Sequence, residues 1–156
     1  MNIDQFDRKI LDILATEGRI SVTALANKIG LSKSPTQARL NRLEEQGIIR
    51  GYRALFDPIR LGRDHVAFVE VKLSDTRESA LAEFTKGVLK IPEIEQCHLI
   101  AGAFDYRLKV RTDGMTGYRA VLAESISTLP HVANTSTYVA MQAVKEEGLV
   151  PFGSGN

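Results

Sequence analysis

Between Ser32 and Arg53 the chain gathers side chains suited to touching a nucleic acid: Ser32, Lys33, Ser34, Gln37, Ala38, Asn41 and Arg42, then Arg50 and Arg53. Short residues permit close approach to a groove, the amides of Gln37 and Asn41 match base edges, and the guanidinium groups, with Arg39 among them, suit phosphate or guanine. From Lys28 to Arg53 six cations oppose Glu44 and Glu45, a local balance of +4, while the whole chain carries +1. Positive charge confined to one stretch fits a protein that reads duplex DNA, and argues against one that coats nucleic acid indiscriminately.

Other chemistry finds little support. Cys97 is the single cysteine, which excludes an internal disulfide and a cysteine-rich zinc site. His65, His98 and His131 lie far apart and lack metal-ligand spacing. The carboxylate pairs Glu44/Glu45 and Glu146/Glu147 are adjacent in sequence and so splay apart on a helix. No serine has a GxSxG setting, and the LIAGAFDY run is not a GxGxxG phosphate loop. No cofactor is therefore expected, and the chain reads as a non-enzyme.

The basic residues need a scaffold, and local signals provide one. Asp4 to Thr16 carries Phe6, Ile10, Ile13 and Leu14 on one stripe, and Gly18 breaks it. A second helix begins at Ser21, a capping residue, buries Leu25, Ala26 and Ile29, and ends at Gly30. Leu31 plugs the corner. Ser34 is read as the cap of a third helix, with Pro35 in its first turn, running to Gln46 and stopping at Gly47. Its apolar side is Thr36, Leu40 and Leu43. The following IIRGYR reads as a β-ribbon that brings Arg50 and Arg53 beside the groove. Three helices and a ribbon make a winged helix-turn-helix over residues 1–55, although a plain helical hairpin with a solvated basic face would share much of this pattern.

FDPIRLGRD, with Pro58 and Gly62, reads as a linker over 56–63. From residue 64 to 145 the order becomes strand, helix, strand, strand, helix, strand, the ferredoxin-like βαββαβ arrangement, so the fold class is α+β. HVAFVEVKL alternates Val69, Val71 and Leu73 with Phe68, Glu70 and Lys72. Ser79 to Ile91 and Met115 to Leu129 have helical spacing and end at Pro92 and Pro130. IEQCHLI and FDYRLKVR form two strands joined through Ala101, Gly102 and Ala103, and TSTYVAMQAV forms the fourth. Residues 146–156 read as a tail. Both helices on one face leave the other bare, and Phe68 and Tyr138, if they point there, would favour pairing of two sheets. Pairing would also link two recognition helices for a two-part site. No apolar run reaches membrane-spanning length and no export signal is visible, so a cytoplasmic protein is expected.

Five stretches, DRKILDILATEGRIS, TALANKIGLSKSP, RLNRLEEQGIIRGYRALFDPIRLG, CHLIAGAFDYRLKVR and LPHVANTSTYVAM, resemble the Lrp/AsnC, or feast-famine, family of bacterial transcription regulators over nearly the whole chain. The resemblance implies a DNA-binding dimer that assembles into tetramers or octamers and changes its output when an amino acid binds. Within the family, HLIAGAFDYRLKVR and STYVAM resemble leucine-responsive regulators and activators of amino-acid catabolism, proline included. The implied effector site, between neighbouring dimers, comprises Gly102, Ala103, Asp105, Tyr106, Thr135, Ser136 and Thr137. Its chemistry is sensible: Gly102 exposes backbone N–H groups, Asp105 accepts from an ammonium, and Ser136 or Thr137 binds a carboxylate. The same residues admit a plainer account, in which Gly102 makes a turn, Asp105 stabilises it and the hydroxyls favour a strand. The two-domain plan also resembles sirohaem decarboxylases, which would draw on His98 and Arg107, but such an enzyme has no need of the short-chained basic face from Ser34 to Arg42. A regulatory module acting on an enzyme partner would leave the winged helix unexplained.

Overall fold

Asp4 starts the first helix by accepting from the N–H groups of Phe6 and Asp7, while Asp7 accepts from the N–H of Asp4 at 3.1 Å, a reciprocal capping box. The computed structural model describes residues 3–146, and the chain divides into two units, each described by itself: the first runs to Leu55 and also takes in the chain from Lys145, and the second is Phe56–Val144. The expected tail falls, apart from Glu146, outside the described residues.

In the first unit, α1 (Gln5–Thr16), α2 (Val22–Ile29) and α3 (Lys33–Glu45) enclose a core of Ile10, Leu11, Leu25, Ile29, Leu40 and Leu43, against which Leu31 packs. Ser21 caps α2 through the N–H of Ala24, and Gly30 ends it with φ +77, a conformation that costs a side-chain-bearing residue roughly 1–2 kcal/mol. The cap of α3 is Ser32, two residues before the expected Ser34. Pro35 is tolerated there because the first-turn N–H groups of a helix have no intrahelical acceptor, so the proline need not stand at the first position. After Gly47 the anticipated ribbon is absent among the described residues: residues 50–57 form neither helix nor paired strand. A ribbon needs a returning strand, and the chain instead enters a turn at Asp57–Gly62, where Asp57 accepts from the N–H groups of Ile59 and Arg60.

The second unit is a four-stranded antiparallel sheet in the order β2-β3-β1-β4. The strands are β1 (His65–Leu73), β2 (Ile94–Leu99), β3 (Tyr106–Thr112) and β4 (Val132–Val139), with α4 (Glu78–Val88) and α5 (Met115–Val121) as crossovers. One face carries the core: Ala67, Val69, Val71, Phe84, Leu108, Val110 and Ile126 are fully buried. Several spans differ from expectation: α4 stops at Val88, short of Ile91, and β3 starts at Tyr106, two residues after Phe104. β4 starts three residues earlier than TSTYVAMQAV, because a bulge at Lys72/Leu73 lets Val132 pair with Leu73, and it ends at Val139, opposite Ala67. The helix from Met115 becomes a single π turn at Leu122–Ile126, closed by Ser127 N–H to the Leu122 carbonyl, and this keeps Tyr118, Ile126 and Leu129 inward.

Candidate nucleic-acid interface and loop site

Alternation along α3 decides what a duplex could meet. Thr36, Leu40 and Leu43 are buried, with Thr36 Oγ1 donating to the Ser32 carbonyl at 2.9 Å, while Ser32, Lys33, Ser34, Ala38, Asn41 and Arg42 are exposed. The hydroxyl of Ser32 makes no capping bond and stays available. Gln37 is half-buried and donates from Nε2 to Asn41 Oδ1 at 2.7 Å. Among the described residues Lys33, Arg50 and Arg53 have no ion-pair partner.

The remaining cations are engaged. Arg39 donates to Asp4 at 2.6 Å and to Asp7 at 2.9 Å, with its guanidinium over the Phe6 ring, and Arg42 donates from Nη2 to Asp7 at 2.5 Å. Asp7 is fully buried, so this network is a strut between α1 and α3. The Asp4 carboxyl is held below the usual range by the Asp7 N–H and then by Arg39. Arg39 is thereby drawn from the groove-facing role expected of it, whereas Arg42 keeps part of its guanidinium exposed. Partners more than thirty residues apart leave no local sequence signal. Tyr52, which sequence reasoning passed over, donates to Glu44 at 2.8 Å and ties the segment after Gly47 to α3. Partial burial, then Glu44, pushes its phenol up to about 12.

The second candidate site is the loop from Ile100 to Asp105 between β2 and β3. Among the described residues, the N–H groups of Ala101, Gly102, Ala103 and Phe104 meet no acceptor. A Cβ at Gly102 would touch only Ile100 Cγ2 at 3.6 Å and φ is ordinary, so the turn does not require glycine there. What glycine provides is open approach. Asp105 Oδ2 accepts from the Leu73 N–H at 2.7 Å, and Oδ1 lies 3.5 Å from Lys72 Nζ. This is the turn-stabilising arrangement, and a ligand ammonium would compete with Lys72.

Two expected members of the set fall elsewhere. Tyr106 is buried with its ring 4.5 Å from that of Phe84, and so belongs to the core. Ser136 pairs opposite Glu70 on the bare face, while Thr135 and Thr137 pair opposite Val71 and Val69, and Thr137 shares a hydrogen bond with Tyr118 on the helix-bearing side. The alternation of a strand divides a Thr-Ser-Thr run between two faces. Phe68 and Tyr138 do point to the bare face, as cross-strand partners. Their surroundings are charged: Arg107 lies over the Phe68 ring, Tyr138 contacts Glu70, and Lys109 pairs with Glu95. His98 and Arg107 are register partners there too.

Comparison with known proteins gives the family. Residues 3–50 match a family described as winged helix-turn-helix DNA-binding, and residues 66–150 match the Lrp/AsnC ligand binding domain. The chain belongs to the Lrp/AsnC family. It is 59% identical over 148 residues to a proline dehydrogenase transcriptional activator of Rhizobium radiobacter, covering 95% of each chain. It is 43% identical to the leucine-responsive regulatory protein of Escherichia coli strain K12, over 93% of this chain and 88% of that one. Among solved structures, a transcriptional regulator from Neisseria meningitidis in complex with L-Met superposes with TM-score 0.87 at 28% identity, covering 94% of each. The protein is thus a DNA-binding transcription regulator of the Lrp/AsnC family, and this is preferred over the sirohaem-decarboxylase alternative. Among the described residues no helix is long and apolar enough to cross a membrane.

Proposed function

We propose that this Lrp/AsnC protein activates a gene of amino-acid catabolism as a homo-oligomer, dimer or higher, and that its effector is a small amino acid of the proline class. The observation that carries this is the 59% identity to a proline dehydrogenase transcriptional activator along nearly the full chain. In this reading Ser32, Lys33, Ser34, Gln37, Ala38, Asn41 and Arg42 face the duplex, with Arg50 and Arg53 on its backbone. The effector carboxylate is taken by the loop amides at Gly102 and Ala103, and its amine by Asp105. Thr135 or Ser136 contributes a hydroxyl from whichever face the effector meets.

Calorimetry of the full chain against the common amino acids tests the effector. Proline binding that Asp105→Ala weakens at least tenfold supports the reading. If proline binds the two proteins equally, the assignment of the amine to Asp105 fails. If leucine or methionine binds and proline does not, the proline class fails.

A further inference from the structure

We propose that Gln37 and Asn41 act as one base reader selective for adenine in the major groove; this rests on the reading of α3 as the recognition helix. The two residues are one turn apart, and Gln37 Nε2 donates to Asn41 Oδ1 at 2.7 Å. That bond uses the acceptor of one amide and a donor of the other. The groups it leaves wholly unused are Asn41 Nδ2 as donor and Gln37 Oε1 as acceptor, beside one spare hydrogen on Gln37 Nε2 and one spare lone pair on Asn41 Oδ1.

Adenine shows the complementary order on its major-groove edge, with N7 as acceptor beside the N6 amino donor. Asn41 then donates to N7 while Gln37 accepts from N6. Guanine places O6 where the amino group stood, so an acceptor faces Gln37 Oε1, a mismatch that rejects G as well as favouring A. Cytosine and thymine each offer only one of the two hydrogen-bonding groups.

Of the three cations on α3, Lys33 stands one turn before Gln37 and the two arginines are engaged. Arg39 is held by Asp4 and Asp7 over the Phe6 ring, and Arg42 is tethered to Asp7, so neither of these long cations of the helix is loose to seek guanine. Ala38, exposed beside Gln37, presents no bulk to keep the helix from the bases. The internal bond also fixes both amides before DNA arrives, which spares part of the ordering cost of binding.

The test is selection of randomised duplexes by the purified full chain, comparing wild type with Gln37→Ala, Asn41→Ala and the double variant. Wild type is expected to recover sites with adenine favoured by about 5- to 150-fold at one position of each half-site. Each single variant loses the preference at that same position, and the double variant loses no more, because either truncation breaks the one reader. Matching thermal unfolding of all four proteins shows that these outward-facing substitutions leave the fold in place. Loss at two different positions, or a preference retained by both single variants, overturns the proposal while leaving α3 as the recognition helix. A wild-type protein that binds duplexes without selecting any sequence overturns both together.

Discussion

Asp7 shows how one side chain can serve two elements. Its carboxylate accepts from its own helix start and from two arginines of α3, and it is fully buried. Removing one partner of a buried charge network typically costs 3–5 kcal/mol. Because the arginine side chains here are 25% and 44% exposed, water recovers part of that. Asp7→Ala is therefore expected to destabilise the first unit by about 2–4 kcal/mol, read as a lower urea midpoint with unchanged slope. A loss below about 1 kcal/mol would mean that the strut is ornamental and that Arg39 is free to meet DNA after all. The composition of this network was visible in the sequence as acidic and basic residues, yet their pairing was not, since nothing local links residue 7 to residue 42. The split of Thr135 and Thr137 from Ser136 was different: strand alternation carried that information, and treating the run as one polar segment overrode it.

At the scale of elements, short-range rules located the helices and strands well wherever a cap, a left-handed glycine or a two-residue period was present. Ser21 and Gly30 bound α2, and HVAFVEVKL forms β1 without adjustment. The paired ribbon differs for a reason equally physical: β-branched, basic residues suit a strand, but a strand needs a partner, and among the described residues none pairs with this segment. In its place Tyr52 anchors the segment after Gly47 to α3 through Glu44. A phenol raised to about 12 in the folded protein stabilises fully below its ordinary value near 10, and that contribution is lost as pH climbs through 12. Burial raises Tyr118 as well, so ultraviolet titration of tyrosinate should show a late phase that Tyr52→Phe diminishes by one tyrosine and that Glu44→Gln moves partly toward 10. Should Glu44→Gln leave that phase in place, burial alone and not the Glu44 bond holds the phenol up.

For the whole molecule the decisive quantity is where unspent positive charge lies. The chain is nearly neutral at +1, and in the second unit Arg77, Lys109 and Arg111 each face a carboxylate. Lys33 at the start of α3 and Arg50 after it have no such partner among the described residues, as is true of Lys86, Lys90 and Arg119 in the second unit. Each phosphate neutralised by a cation contributes roughly −0.9 to the slope of log affinity against log salt. Arg50→Ala should therefore flatten that slope by about 0.9 if one protomer engages the duplex and by about 1.8 if two do. Arg77→Ala, already matched by Asp75, should leave it unchanged. One titration series thus tests two claims at once: a flattened slope places Arg50 at the backbone, and its size counts the copies on the DNA. Equal slopes for both variants would remove the segment after α3 from the interface, and a change near 0.9 would mean that only one protomer of the proposed homo-oligomer grips each site.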